Sequence, residues 1–315
     1  MSARKLRTAS LVLTTLLAAL FTAPAASATQ EQEQEQEQEQ EQEQEQEQEQ
    51  TARPAVEVTA GAGDLAAPST TRPGPATFRV TATDAKSGHV GLVGLREGAS
   101  LTAFRAGLRK AFSDDPAVVV EGNREVTAQA ELLGGALTLP GSPGSFSQVL
   151  RPGAYHLLEY RDFQDGTLPT GQERVRTLTV SGTVHGRLPT AEATIVSQTV
   201  PGIGPRFQAP PTLHAGEPVR VVNTMPGQVN QAVLYKLFPG KTDADVHKFF
   251  TTPDWNDPPF DPFANVGTPP LSPGRSTVIQ IPLTPGDWAL VTWVGSAVDG
   301  SKLAAQGMHT VITVK

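Results

Sequence analysis

The chain has 315 residues, no cysteine and a formal net charge of −7. Without cysteine, disulfides, thiolate catalysis and cysteine-ligated metals are excluded. The charge is unevenly spread: residues 1–28 carry three basic and no acidic side chains, residues 31–50 carry ten Glu, and the remainder is neutral. A basic surface for nucleic acid is therefore excluded as well.

Residues 1–28 have the three parts of a secretory signal peptide. Basic residues precede an apolar run from Leu11 to Phe21, and the segment ends in Ala26-Ser-Ala28, the small-residue pattern of a cleavage site. The run of about 11 residues is too short for the roughly 20 that a membrane-spanning helix needs. We expect a secreted protein, extracellular or loosely associated with the cell wall, with no membrane span after signal cleavage.

Residues 29–53 are predicted to be a disordered tract and linker. Gln30 to Gln50 strictly alternates Glu and Gln and contains no apolar residue, so it cannot join a core. Alternation also places each Glu four residues from another, and like charges at that spacing oppose a helix. The tract is predicted to be a spacer; weak binding of cations or basic surfaces is the sharper alternative.

The rest of the chain contains an internal repeat. Residues 72–80 align with residues 214–222, and Leu95–Ser100 aligns with Leu237–Thr242 at the same offset. Further on, Arg151-Pro-Gly-Ala-Tyr matches Thr284-Pro-Gly-Asp-Trp in the same order along the chain. We therefore predict two domains, the first copy at 54–181 and the second copy at 190–315, joined by a linker at 182–189.

Each copy is predicted to consist of short strands separated by Pro-Gly turns and interrupted by one helix. Alternating strands are expected at 77–82 and 218–223, followed by strands at 90–95 and 232–237 and by strand pairs around each Pro-Gly corner. Ser100 is expected to cap a helix over 101–112, and Thr242 with Asp245 forms a capping box before the second helix. About seven short strands per copy favour an all-β fold of β-sandwiches.

These motifs resemble the cupredoxin family in its secreted, tandem forms. In that family a strand ending in Asn precedes a copper-binding His, and a later Pro-Gly-x-Tyr strand delivers a Cys that is followed by a His and a Met. The segments Val219-Arg-Val-Val-Asn223, Pro285-Gly-Asp-Trp and Gly307-Met308 resemble these motifs. The resemblance implies two tandem Greek-key sandwiches of plastocyanin or azurin type.

The copper ligands of the family are missing at the matching positions. The first His falls on His89 in the first copy and on Gln231 in the second, while the Cys falls on Glu159 and Thr292. The Met is matched by Met308 in the second copy, whereas Arg174 lies near that place in the first. A blue-copper centre needs a thiolate with imidazoles, so we predict no cofactor and no such centre.

Other chemistry has weak support in the sequence. The six His are scattered rather than spaced as zinc ligands, there is no Gly-x-Ser-x-Gly motif, and the paired acids Asp114/Asp115, Asp162/Asp165 and Asp243/Asp245 are explained by turns and helix caps. We predict no catalytic residues and no enzyme; an enzyme at the domain interface has the least support. A soft Cu(I) site made of Met225, Met308 and His309 is the weak metal alternative.

One Pro-rich segment after the second helix stands out. It concentrates aromatic and acidic side chains that the first copy lacks, namely Asp254, Trp255, Asp257, Phe260 and Phe263. The aromatics either cover the sandwich edge or form a recognition loop for a glycan or a peptide. We expect a non-catalytic binding or structural module with an unknown extracellular glycan or protein partner; the alternative is an extracellular copper-handling protein using a His/Met site.

Overall fold

The computed structural model describes residues 55–83, 88–164, 166, 168–183 and 188–315. The predicted signal peptide and the Glu-Gln tract lie outside the described residues, as do Asp165 and His185. No helix among the described residues is both long enough and apolar enough to cross a membrane.

The described residues form eighteen strands and four helices. The helices are α1 Leu101–Ala111, α2 Pro116–Gln129, α3 Arg161–Gln164 and α4 Asp243–Thr251. The strands of the first copy are β1 Val56–Ala60, β2 Leu65–Ala66, β3 Thr70–Thr71, β4 Gly74–Ala82, β5 Gly88–Leu95, β6 Ala130–Thr138, β7 Gly144–Leu150, β8 Gly153–Glu159 and β9 Val175–Val180. Those of the second are β10 Ala193–Val200, β11 Gly204–Gln208, β12 Thr212–Leu213, β13 Val219–Asn223, β14 Asn230–Leu237, β15 Phe260–Leu271, β16 Ser276–Gln280, β17 Gly286–Val291 and β18 His309–Val314.

The strands form two large sheets, each shared by the two copies. The 8-stranded sheet has the order β11-β10-β13-β16-β7-β4-β1-β2, and the 10-stranded sheet has the order β12-β18-β17-β14-β15-β6-β5-β8-β9-β3. Both orders are mirrored: each strand of one copy lies as far from the centre as its counterpart in the other copy. Two copies of one fold related by a twofold axis would give this order.

The copies pair directly with each other at the centre of both sheets. Strand β7 is antiparallel to β16, with Ser147 opposite Val278, and β6 is antiparallel to β15, with Leu137 opposite Gly267. Pro54–Lys315 accordingly makes up a single compact unit. The boundary predicted between the copies stays a prediction.

The main hydrophobic core lies between the two sheets. Strand β4 alternates buried and more exposed positions along its length, as its sequence pattern predicts, and Phe78 from this strand stacks on Phe146 of β7 at 4.6 Å between ring centroids. The buried cluster continues from Val58 in the first copy to Val314 in the second. The all-β fold of packed sheets is thus the predicted one, with a core common to both copies.

The outer face of the 10-stranded sheet is covered by helices. Helix α1 begins after Ser100, whose hydroxyl accepts a hydrogen bond from the Ala103 N–H at 3.0 Å, as predicted. Before α4, the Asp245 carboxylate accepts from both the N–H and the hydroxyl of Thr242, at 2.8 and 2.7 Å. Each helix thereby places an apolar face on the sheet, which builds two smaller clusters beside the main core.

Helix α2 was not among the predicted elements. Its start is readable: Asp115 accepts from the Ala117 N–H at 2.9 Å, and Pro116 occupies the first turn. Its packing depends on a close approach to α1, because a Cβ at Gly122 would lie 2.2 Å from the Ala111 nitrogen. The sequence pattern did not predict this helix, because its composition is rich in Ala, Gly and Val and few large apolar residues lie on its buried face.

Candidate functional site

The positions that match the copper ligands lie at equivalent places in the two copies. In the first copy Val90 of β5 faces Glu159 of β8. In the second copy Val233 of β14 faces Val291 of β17, so the next pair outward is Ala232 and Thr292. Glu159 and Thr292 therefore share one register position, as the sequence comparison predicts. We call Gly88, His89 and Glu159 the first pole, and Asn230, Gln231 and Thr292 the second pole.

Strand alternation separates the histidine position from the cysteine position. Val90 and Ala232 belong to the core between the sheets, so the residues before them, His89 and Gln231, point to the outer face. Gly88 and Asn230 return to the inner face. His89 therefore does not share a face with Glu159.

The second pole is closed by neutral polar side chains that bind each other. The Thr292 hydroxyl donates to Asn230 Oδ1 at 2.8 Å, and Asn230 Nδ2 donates to Ser197 Oγ at 2.8 Å. All three residues are buried. A copper ion prefers imidazole or sulfur ligands, and this network offers amide and hydroxyl groups.

Helix α2 covers the loop that follows the second pole. Its Asn123 donates to the Gly295 carbonyl at 3.0 Å. The same loop approaches the start of α2 so closely that a Cβ at Gly300 would lie 2.1 Å from the Pro116 carbonyl oxygen. Gly300 also has a φ of +74°, which favours glycine. An element of the first copy therefore shields this end of the second copy.

Met225, Met308 and His309 are the residues of the predicted Cu(I) alternative. Met225 and Met308 are buried and belong to the main core cluster. His309 Nδ1 lies 2.7 Å from Asp243 Oδ1, and His309 Nε2 lies 3.1 Å from His247 Nδ1. Both ring nitrogens of His309 are thus occupied by α4. The Cu(I) alternative made of Met225, Met308 and His309 stays a prediction.

Glu159 is a buried carboxyl at the first pole. Its Oε1 accepts from the backbone N–H groups of His89 at 2.8 Å and Arg161 at 3.3 Å. Its Oε2 has no hydrogen-bond partner among the described residues. Burial raises the pKa of Glu159 to about 7, because an ionised carboxylate loses its hydration here. Glu159 is therefore a buried acid with one oxygen hydrogen-bonded, the other unpaired, and a pKa near neutral pH.

His89 is buried on the other side of the sheet from Glu159. Its Nδ1 donates to Gln164 Oε1 at 3.3 Å. Burial, with a smaller effect of the Arg161 charge, lowers the pKa of His89 to about 3, and Asn265 from the second copy also binds it. The imidazole stays neutral and lies at a contact between the copies.

Arg174, near the position expected for the family's Met in the first copy, forms an ion pair. Its guanidinium binds Asp162 in a bidentate manner, with Nη2 at 2.7 Å from Oδ1 and Nε at 2.9 Å from Oδ2. Asp162 is one of the paired acids that the sequence explains by turns and helix caps. Both side chains are mostly buried, so this ion pair stabilises the segment between β8 and β9.

Phe260 of the predicted recognition loop belongs to the protein interior. It is fully buried and stacks on Tyr235 at 4.3 Å between centroids. Burial raises the pKa of the Tyr235 phenol, whose oxygen accepts from Trp293 Nε1 at 2.8 Å. Phe260 therefore covers the sheet, and no partner can reach it without disturbing the fold.

Trp255 and Phe263 behave differently, because they remain 60% and 76% exposed. Trp255 leans edge-on against Phe249 at 5.0 Å, which fixes its position without covering it. Asp254 accepts from the Asn256 N–H at 3.0 Å, and the Asp257 carboxylate accepts from Lys241 Nζ at 2.6 Å. We call residues 252–259 and 261–263 the aromatic loop, which runs into the start of β15 and leaves out the buried Phe260; its two exposed rings are presented by a hydrogen-bonded backbone.

The sequence reasoning missed the cluster of Asp243, His247 and His309. Asp243 and His247 lie four residues apart on α4, a spacing that places both on one helix face. The approach of β18, which brings His309, could not be read from the sequence. Within the part of the chain that the structure describes, no group of three or more His, Asp or Glu is arranged to hold a metal ion.

Comparison with known proteins gives structural neighbours only. No protein-family model matches the chain, and no curated protein matches it. The similar solved structures include a multicopper oxidase, with 11% identity and a TM-score of 0.24, covering 82% of this chain and 88% of that chain. A copper-containing nitrite reductase from Thermus scotoductus SA-01 has 13% identity and a TM-score of 0.23, covering 83% of this chain and 61% of that one.

Another similar solved structure matches a smaller part of the chain. Auracyanin B has 21% identity and a TM-score of 0.24, covering 40% of this chain and 91% of its own. The neighbours are cupredoxin-like proteins, the group that the sequence motifs resemble. Identities and TM-scores this low say nothing of ligand, activity or partner.

Proposed function

We propose that the chain is a secreted, non-catalytic binding module in which cupredoxin-like sheets serve as a scaffold and the aromatic loop binds an extracellular glycan. The observation that carries this proposal is the exposure of Trp255 and Phe263, at 60% and 76%, on a loop whose backbone is held by its own acidic side chains.

The state of the second pole supports a scaffold role. The Thr292–Asn230–Ser197 network satisfies itself, and α2 covers the following loop through Asn123. Buried polar groups that are already paired gain little from a ligand and lose hydrogen bonds to it. Binding is therefore more favourable on the surface of the molecule than at this end of the sandwich.

The chemistry of the aromatic loop supports a glycan. Exposed aromatic rings offer apolar faces on which the C–H face of a sugar ring can stack, and neighbouring carboxylates can accept hydrogen bonds from its hydroxyl groups. Asp254 lies beside Trp255, and Asp261 accepts from the Phe263 N–H at 2.9 Å. Because the loop is already ordered by these bonds, little conformational entropy is lost on binding.

Retention on insoluble polysaccharide, including cell-wall glycan, tests the proposal. The double variant Trp255→Ala/Phe263→Ala should lose retention while its unfolding free energy falls by less than about 1 kcal/mol, since both rings are largely exposed. The matched control is Ile203→Ala, which removes another exposed apolar side chain, at 60% exposure, outside the loop. Unchanged retention of the double variant would refute the proposal, and retention on protein partners alone would redirect it to a peptide ligand.

Stability measurements separate the aromatic loop from the core. Phe260→Ala should cost about 3–5 kcal/mol of unfolding free energy, because it removes a fully buried ring stacked on Tyr235. The double variant Trp255→Ala/Phe263→Ala should lose less than about 1 kcal/mol, because both rings are largely exposed. A large loss of stability in Trp255→Ala would show that its ring acts as cover for the sheet, which is the other interpretation of this segment.

A further inference from the structure

His247 of α4 and His309 of β18 form a pair of histidines whose ring nitrogens face each other. His247 Nδ1 lies 3.1 Å from His309 Nε2, and the rings are tilted by 45° with centroids 5.2 Å apart. His247 is exposed, whereas the His309 side chain is only 6% exposed. The pair is thus reachable from solvent on one side and fixed by the protein on the other.

Asp243 determines which nitrogen of His309 carries the lone pair. Its Oδ1 lies 2.7 Å from His309 Nδ1. An ionised carboxylate only accepts, so Nδ1 of His309 donates. In the neutral ring the lone pair then lies on Nε2, which is the nitrogen directed at His247.

We propose that His247 Nδ1 and His309 Nε2 bind a divalent transition-metal ion of the Cu²⁺ or Zn²⁺ class, with Asp243 orienting His309 from its other side. Imidazole nitrogens bind these ions at about 2.0–2.1 Å. Two such bonds separate the nitrogens by about 2.9 Å at a right angle and about 3.3 Å at the tetrahedral angle. The observed 3.1 Å lies between these two values.

Metal binding requires a tautomer change at His247 and a reorientation of the two rings, because a hydrogen bond aims one nitrogen at the other whereas a shared ion lies off the line that joins them. While His309 Nε2 accepts from it, His247 Nδ1 carries a proton; with a metal present, that proton resides on the solvent-facing Nε2, and no net proton is released. Water or an external group completes the coordination, since the protein supplies two ligands. The carboxylate–histidine–metal arrangement is the one that orients ligating imidazoles in metal sites generally.

This site differs from the predicted His/Met alternative, because neither Met225 nor Met308 takes part. It also does not rest on the proposed glycan binding, since the aromatic loop contributes no ligand. Hard cations such as Ca²⁺ prefer oxygen ligands and are not expected at this imidazole pair.

Titration of the full chain with Cu²⁺, followed by calorimetry and electron paramagnetic resonance, tests the site. We expect one saturable ion whose spectrum shows hyperfine coupling to two imidazole nitrogens. His247→Ala, at an exposed position, should lose one nitrogen and weaken binding at least tenfold. Asp243→Asn should keep both nitrogens and weaken binding by about 10–100-fold, the effect of losing an outer-shell partner.

His214→Ala is the matched control, because it removes an exposed histidine elsewhere in the second copy. Its affinity and spectrum should equal those of the unmodified chain. A Cu²⁺ spectrum without imidazole nitrogens, as carboxylates of the Glu-Gln tract would give, overturns the proposal. Equal affinities of the His247→Ala variant and the unmodified chain overturn it too, and the facing rings would then be a hydrogen-bonded pair only.

Discussion

Replacing the buried acid at the first pole by its neutral isostere, Glu159→Gln, should change how stability depends on pH. Burial raises the pKa of Glu159 from 4.5 to about 7. The folded chain therefore holds a proton that the unfolded chain releases between these two values. Stability from this group is fully present below pH 4.5 and is lost as pH rises through 7.

The magnitude follows from the two pKa values. Between pH 5 and pH 8 a carboxyl with pKa 4.5 unfolded and about 7 folded loses about 2.5 kcal/mol of stabilisation. Gln can accept the same backbone hydrogen bonds at Oε1, and the cost of its unpaired amide is the same at both pH values. The unfolding free energy of Glu159→Gln minus that of the unmodified chain should thus rise by about 2.5 kcal/mol from pH 5 to pH 8.

The buried His89 changes stability with pH in the direction opposite to Glu159. Its pKa is lowered from 6.5 to about 3, so its contribution is present above pH 6.5 and is lost as pH falls towards 3. Between pH 4.5 and 6.5, unfolding of the unmodified chain releases a proton from Glu159 and takes one up at His89, so the two contributions to the pH dependence of stability cancel. In Glu159→Gln only the His89 slope remains, about 1.4 kcal/mol per pH unit.

Urea unfolding at a series of pH values measures both effects. Glu57→Gln, at an exposed position of β1, controls for the loss of one negative charge. A difference between Glu159→Gln and the unmodified chain that stays constant within about 0.5 kcal/mol from pH 5 to pH 8 would refute the reasoning, because it would mean that burial does not perturb Glu159.

Three further substitutions test packing and pairing by urea unfolding. Glu173→Gln should cost about 3–5 kcal/mol, since it leaves the guanidinium of Arg109, 2.6 Å away, without its buried carboxylate partner; a loss below 1 kcal/mol would contradict this. Gly122→Ala should cost about 1–3 kcal/mol by forcing α2 away from α1, and unchanged stability would show that the helices can separate freely. Thr292→Val should cost about 1–3 kcal/mol, because Asn230 Oδ1 loses its donor at 2.8 Å; a neutral effect would indicate that the network is dispensable.

Much of the fold could be predicted because local signals agree with it. The alternation in 77–82 and 218–223 appears as β4 and β13, and the Pro-Gly corners separate β7 from β8 and β16 from β17. The caps at Ser100 and Thr242 begin α1 and α4. These signals involve residues that are close together in the chain, so they can be recognised in the sequence.

The candidate sites were less predictable, because they depend on which face of a strand meets which element. Matching by sequence brought His89 and Glu159 to equivalent places, yet one residue of register separates the inner from the outer face. Phe260 and Trp255 are both aromatic residues of one Pro-rich segment, and their sequence context does not distinguish them. Phe260 is buried because β15 begins there, whereas Trp255 precedes the strand and is exposed. The pairing of His247 with His309 depends on a contact across 62 residues of chain.

By itself the sequence determined that no thiolate is present, that the residues after the Glu-Gln tract carry no net charge, and that short strands and capped helices recur along them. The tertiary structure decided that both copies share two continuous sheets, and that α2 of the first copy covers the end of the second. It also decided where the polar side chains of the two poles point. The reason is physical: propensity, capping and alternation act within a few residues, whereas burial and pairing arise from atoms that are distant in the chain.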